Sequence, residues 1–195
     1  NFCQKKFKDQ KNLKFIESDS INFLEETSEV YDIIFSLWSF SHSIHQNLIK
    51  KGLDEGRRYV QKIIRKMIKE NMKESSRFFL IHFDSLSEEQ KILMRQWSKV
   101  FPIYSNLDVQ SPSKILIDEV LHGLQEEKVI KLKSNHFEGE EITYSSIDEI
   151  LEIFLNFHME SYFNKTPLLQ NIIKELKKYF QKFTDKDGKI KIKPG

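Results

Sequence analysis

Between Leu13 and Glu126 the sequence alternates short apolar runs with longer amphipathic stretches, and that alternation constrains the fold more than any single motif. Residues 13–18 (LKFIES) read as a short strand ending at Asp19-Ser20, and INFLEE reads as a brief helix with Ser20 as a suitable N-cap. Residues 31–37 (YDIIFSL) form a nearly continuous apolar run bounded by polar segments, the pattern of a buried strand. Val60, Ile63, Ile64, Met67, Ile68 and Met72 fall on one face of a helix over 54–73. Residues 77–83 (RFFLIHF) read again as strand. Ser87 with Gln90 three residues on has the spacing of a capping box for a helix over 87–101. Ser111-Pro112 opens another helix to Glu126. Strand, helix, strand, helix, strand, helix implies parallel strands with crossovers, an α/β doubly wound sheet.

The pattern changes after Glu126. KVIKLKS (128–134) and EEITYS (140–145) flank His136-Phe137-Glu138-Gly139, which suggests an antiparallel hairpin. Residues 146–162 read as a helix with apolar residues on more than one side. Thr166-Pro167 starts a further helix to about Thr184, and DKDG turns the chain into a last strand, KIKIK. The expectation is one domain over residues 1–195, long enough for a sizeable core.

Composition excludes several classes. A single cysteine, Cys3, rules out an intramolecular disulfide framework and fits a reducing, cytoplasmic setting. No apolar run approaches the roughly 20 residues that span a bilayer. The formal net charge of +2 comes from 31 basic and 29 acidic residues and does not by itself point to polyanion binding. The charge is uneven, however. Lys50–Lys73 and Lys165–Lys193 each hold nine basic and three acidic residues, while Glu138–Glu152 holds six acids and no base. Solvated helix faces account for this by default; a phosphate backbone is the sharper reading.

Ligands of open α/β sheets sit beyond the carboxyl ends of the strands, and two such ends carry chemistry here. FIESDSINFL places Asp19 just past a strand, and YDIIFSLWSFSHSIHQ opens a strand into serines, aromatics and two histidines. In that order and spacing the chain resembles the class I S-adenosylmethionine-dependent methyltransferases. The resemblance runs from about Lys11 and thins after Ser111. It implies a Rossmann-like, mostly parallel sheet with a hairpin-plus-helix lid insertion over 111–163. Asp19 then stands where an acid binds the adenine amino group, with Ser20 and Ile21 beside the ring. Asp32-Ile33-Ile34 matches the family's fourth strand, after which Ser36, Leu37 and Trp38 would line the methionine portion. The family's Gly-rich loop and ribose-binding acid have no counterpart in this sequence; both would precede Asn1, and the chain is expected to be N-terminally truncated.

The implied reaction is transfer of the sulfonium methyl of S-adenosylmethionine to a small-molecule acceptor. It is an in-line displacement in which alignment does most of the work. His42 and His45 are the candidate catalytic residues, able to take an acceptor proton or orient the acceptor. Phe40, His158 and Tyr162 are candidates to line the acceptor. Each has a plainer reading: Asp19 as a helix cap, the histidines as polar loop residues, Phe40, His158 and Tyr162 as packing residues, and His82 as a satisfied interior histidine. His42-x-x-His45 lacks supporting Cys or carboxylate ligands, so no metal is expected. Alternative readings are an RNA or protein methyltransferase and a non-catalytic methyltransferase-like interaction module, and an exposed sheet edge could pair two copies as a homodimer.

Overall fold

The β-branched and aromatic run YDIIFSL forms strand β1, Tyr31–Leu37, which pairs in parallel with β2, Met72–Ile81. A parallel pair needs a crossover, and two consecutive helices supply it: α2, Phe40–Lys51, and α3, Leu53–Glu70. The computed structural model describes residues 5–106, 108–159 and 167–195. Ahead of β1 lies the short helix α1, Ser20–Glu26; residues 13–18, expected as a strand, join no ladder. Among the described residues the parallel sheet is two strands wide. The molecule is a mixed α/β structure in which helices predominate.

One face of this sheet is covered. Ile34, Phe78 and Leu80 pack on Val60, Ile63, Ile64 and Met67 of α3, on Ile44 and Leu48 of α2, and on α5, Pro112–Glu126. Fully burying each of these aliphatic side chains contributes roughly 1.5–3 kcal/mol relative to exposure. The other face carries Ile33, Phe35 and Leu37 opposite Arg77, Phe79 and Ile81, and all six are exposed.

The junction between α2 and α3 is a single residue, Gly52, at φ 80 and ψ 161, a region open essentially to glycine alone. One turn into α3, Gly56 lets the two helices touch: a Cβ there would lie 2.8 Å from the Asn47 carbonyl oxygen. Helix α1 is held against α3 by Lys66, whose ammonium donates to the carbonyl oxygens of Leu24, Glu25 and Thr27 at 2.8–2.9 Å. These are carbonyls at a helix end that would otherwise lack a partner.

A second core forms from later elements: α4, Glu88–Trp97; β3, Ile142–Tyr144; α6, Ile147–Ile153, which continues as a π-helical turn Phe154–His158; α7, Leu169–Phe180; and β4, Ile190–Ile192. The expected hairpin is corrected here. Residues 128–134 form no strand, and β3 pairs antiparallel with β4 near the end of the chain. The alternation that suggested a strand has another cause: Ile130 and Leu132 pack inward on the first core without a partner strand. The segment 111–163 is therefore not one lid. Its helix α5 belongs to the first core, and β3 with α6 belongs to the second.

Two capping residues legible in the sequence perform as expected, while Thr166 lies outside the described residues. Ser87 accepts from the Gln90 N–H, and Ser111 accepts from the Lys114 N–H with Pro112 in the first turn. At α1 the cap is Asp19 rather than Ser20. No helix among the described residues is long and apolar enough to cross a membrane.

Candidate functional site

The carboxyl ends of β1 and β2 lie side by side, Leu37 opposite Ile81. The chain leaves β1 through Trp38, whose φ of 58 is a left-handed conformation unusual for a bulky residue. A backbone of this kind stores about 1–3 kcal/mol and persists only where its surroundings hold it. Two contacts hold it here: the Trp38 N–H donates to the Ile81 carbonyl at 3.1 Å, and the indole stacks on Phe83 with centroids 6.0 Å apart. Just before the turn, the Ser36 hydroxyl is buried with no hydrogen-bond partner among the described residues. Such a group costs about 1–3 kcal/mol.

The segment Asp19–Ile21 approaches the same region. The Ser20 hydroxyl donates to Ser43 Oγ on α2 at 2.7 Å, and α2 begins two residues after Trp38. Asp19 Oδ1 accepts from the N–H groups of Ile21 and Asn22 at 2.9 and 3.2 Å, so this oxygen serves as the helix cap. Ile21 is completely buried in the first core, and its side chain has no face to offer a ligand. Phe40 is likewise interior, edge-on to Phe78 at 6.4 Å. Leu37 points to the exposed face of the sheet.

His42 is exposed in the first turn of α2, and His45 lies one turn further in, partly buried. The His45 ring sits edge-on to Tyr104 at 4.9 Å, and its Nε2 accepts the Ser113 backbone N–H at 3.3 Å. Burial, reinforced by the neighbouring His82 and His42, pushes its pKa down to about 3. The ring is neutral, with its proton on Nδ1. Nε2 is therefore engaged and cannot take a proton from an acceptor while that bond lasts. The side chain of His158 and residue Tyr162 lie outside the described residues.

His82 was legible as an interior histidine, but its partners were not. Its Nδ1 is 2.9 Å from the Phe83 carbonyl oxygen, which only accepts, so Nδ1 carries the proton. Nε2 then accepts from the Ser113 hydroxyl at 3.1 Å. Ser113 Oγ accepts in turn from Ser111 Oγ at 3.1 Å, and Ser111 Oγ accepts the Lys114 N–H at 3.3 Å. Every proton in this chain has one assignment. Ser113 beside His82 has the order of a nucleophile and its base, yet Ser113 is completely buried, so the chain serves to lock the start of α5 onto the end of β2. Burial also lowers the His82 pKa, opposed by its bond to the Phe83 carbonyl.

Beside this cluster, α2, α3 and α5 surround a cavity of about 200 Å³ lined mainly by Leu48, Leu53, Ile103, Pro112, Ile115 and Leu116. Arg57, at its margin, pairs with Glu119. Among the described residues no group of three or more His, Cys, Asp or Glu is placed to hold a metal ion. Comparison with protein-family models, with curated proteins and with solved structures finds no match.

Proposed function

We propose that this chain is a Rossmann-like S-adenosylmethionine-dependent methyltransferase acting on a small molecule in the cytoplasm. The observation that carries the reading is the Ser20–Ser43 hydrogen bond of 2.7 Å, which ties Asp19-Ser20 to the helix that follows Trp38. The resemblance assigns those two segments to opposite ends of the methyl donor, and they meet at the carboxyl edge of a parallel strand pair, where α/β ligands bind. Asp19 Oδ2, which takes no part in the cap, is the oxygen left for the adenine amino group. The unpaired Ser36 hydroxyl and the strained Trp38 turn line the methionine end. His42 takes the acceptor proton, and His45 acts as a positioning residue through its fixed tautomer. The apolar cavity favours a small acceptor over a macromolecule.

Calorimetric titration of the purified protein with S-adenosylmethionine tests this. Saturable binding is expected, weakened tenfold or more by Asp19→Asn, which retains a capping side chain but removes the carboxylate. No detectable binding by the unaltered protein overturns the reading. A second reading, a methyltransferase-like interaction module without catalysis, draws on the uncovered apolar face of the sheet.

A further inference from the structure

The uncovered face of the β1–β2 pair is the largest anomaly in the molecule. The register sets Phe35 beside Phe79 and Leu37 beside Ile81, with Ile33 next to Arg77 at the amino end. The five apolar side chains are each 43–64% exposed, and the rings of Phe35 and Phe79 stack with centroids 5.1 Å apart. Parallel strands are normally covered on both faces. We infer that this face is the self-complementary interface of a two-fold dimer, with the Phe35–Phe79 pair at its centre.

Three observations favour a second copy of the chain. First is area. The five side chains present on the order of 500 Å² of apolar surface per copy, so two copies reach the roughly 1,000 Å² lower bound of a biological interface, that of a weak dimer, before any polar rim is counted. Second is symmetry. A patch with stacked aromatics at its middle can pack on its own rotated copy at the ~10 Å spacing of facing sheets, and such an isologous contact closes at two. Third, the amino end of the strand pair is poorly suited to edge pairing. Between Tyr31↔Met72 and Ile33↔Arg77 the chain of β2 loops out, with Ser75 at φ 68 and Lys73 paired to Asp32. Bulges and edge charges of this kind discourage strand addition. The contact is through the face, not the edge expected from sequence.

Size-exclusion chromatography with light scattering on the purified chain, from about 1 to 100 μM, is the test. A concentration-dependent monomer–dimer equilibrium is expected, with Phe35→Glu and Phe79→Arg each shifting its midpoint tenfold or more toward monomer. Phe137→Glu, at an aromatic elsewhere that is 83% exposed, should leave it unchanged. Circular dichroism establishes that the variants fold. In a Cys3→Ser background, Phe35→Cys should give a bismaleimide-linked dimer and Phe137→Cys should not. A monomer at 100 μM, a dimer insensitive to both face variants, or polydisperse aggregate in place of a dimer overturns the inference. S-adenosylmethionine binding is read separately, so the two proposals fail independently.

Discussion

At the scale of single residues, two histidines carry the pH dependence. His45 and His82 each use Nε2 as an acceptor, toward the Ser113 N–H and the Ser113 hydroxyl. Protonating His45 turns that acceptor into a donor aimed at the Ser113 N–H, and protonating His82 forces the Ser113 hydroxyl to give up its donor role. Both folded-state pKa values lie below the ordinary value of 6.5, His45 at about 3. The unfolded chain therefore binds more protons below pH 6.5, and stability falls as pH drops below about 6.5, by at most about 1.4 kcal/mol per pH unit for each ring, the His45 contribution continuing toward pH 3. His45→Gln, which can still accept the Ser113 N–H, should remove about one proton from that slope. Urea unfolding at pH 7, 6 and 5 checks it; an unchanged slope contradicts the assignment of His45. Of this cluster, the sequence shows the two histidines and the Ser111-Pro112 cap. It does not show their meeting, because His45 and Ser113 are 68 residues apart and nothing local marks the pair.

At the scale of elements, legibility follows how local the causes are. Helices α3, α4 and α5 declare themselves by apolar spacing or by caps within a few residues of their starts. Helix α2 does not declare itself, its sequence looking like a polar, aromatic loop. Its first residues, FSHSIHQ, have ordinary propensities, and the Ser39 side chain makes no cap bond; burial of Phe40, Ile44 and Leu48 in the first core holds it. Strand β3 was visible but its partner was not, since β4 lies some fifty residues later. The α2–α3 turn offers the sharpest test. Gly56→Ala places a methyl group against fixed backbone of α2 and should cost about 1–3 kcal/mol, the usual range for overpacking. Gly52→Ala meets no atom within 4 Å but must hold a glycine-only conformation, and should also cost about 1–3 kcal/mol. Thermal denaturation of the two variants measures both; a loss at Gly56 alone would show that the junction can relax its φ.

At the scale of the whole molecule, the two cores meet where Trp97 of α4 approaches Tyr104 at 6.2 Å, and Tyr104 in turn carries the His45 ring. The cores nonetheless rest on different segments of chain. Ile190 is completely buried in the second. Ile190→Ala should speed hydrogen exchange in α4, α6 and α7 well before α2, α3 and α5; uniform acceleration would mean the cores unfold as one unit. The pairing of β3 with β4 also sets a timetable. Residues of the first core are all present once Leu132 has been made, but Ile190 and Ile192, which complete the core that holds Ile92 and Leu93 of α4, come roughly sixty residues later. At about 5–20 residues per second this is some 3–12 seconds of synthesis. During that interval one half of the nascent chain can already be folded while α4, attached to it, sits in a core that is still incomplete and available to a chaperone.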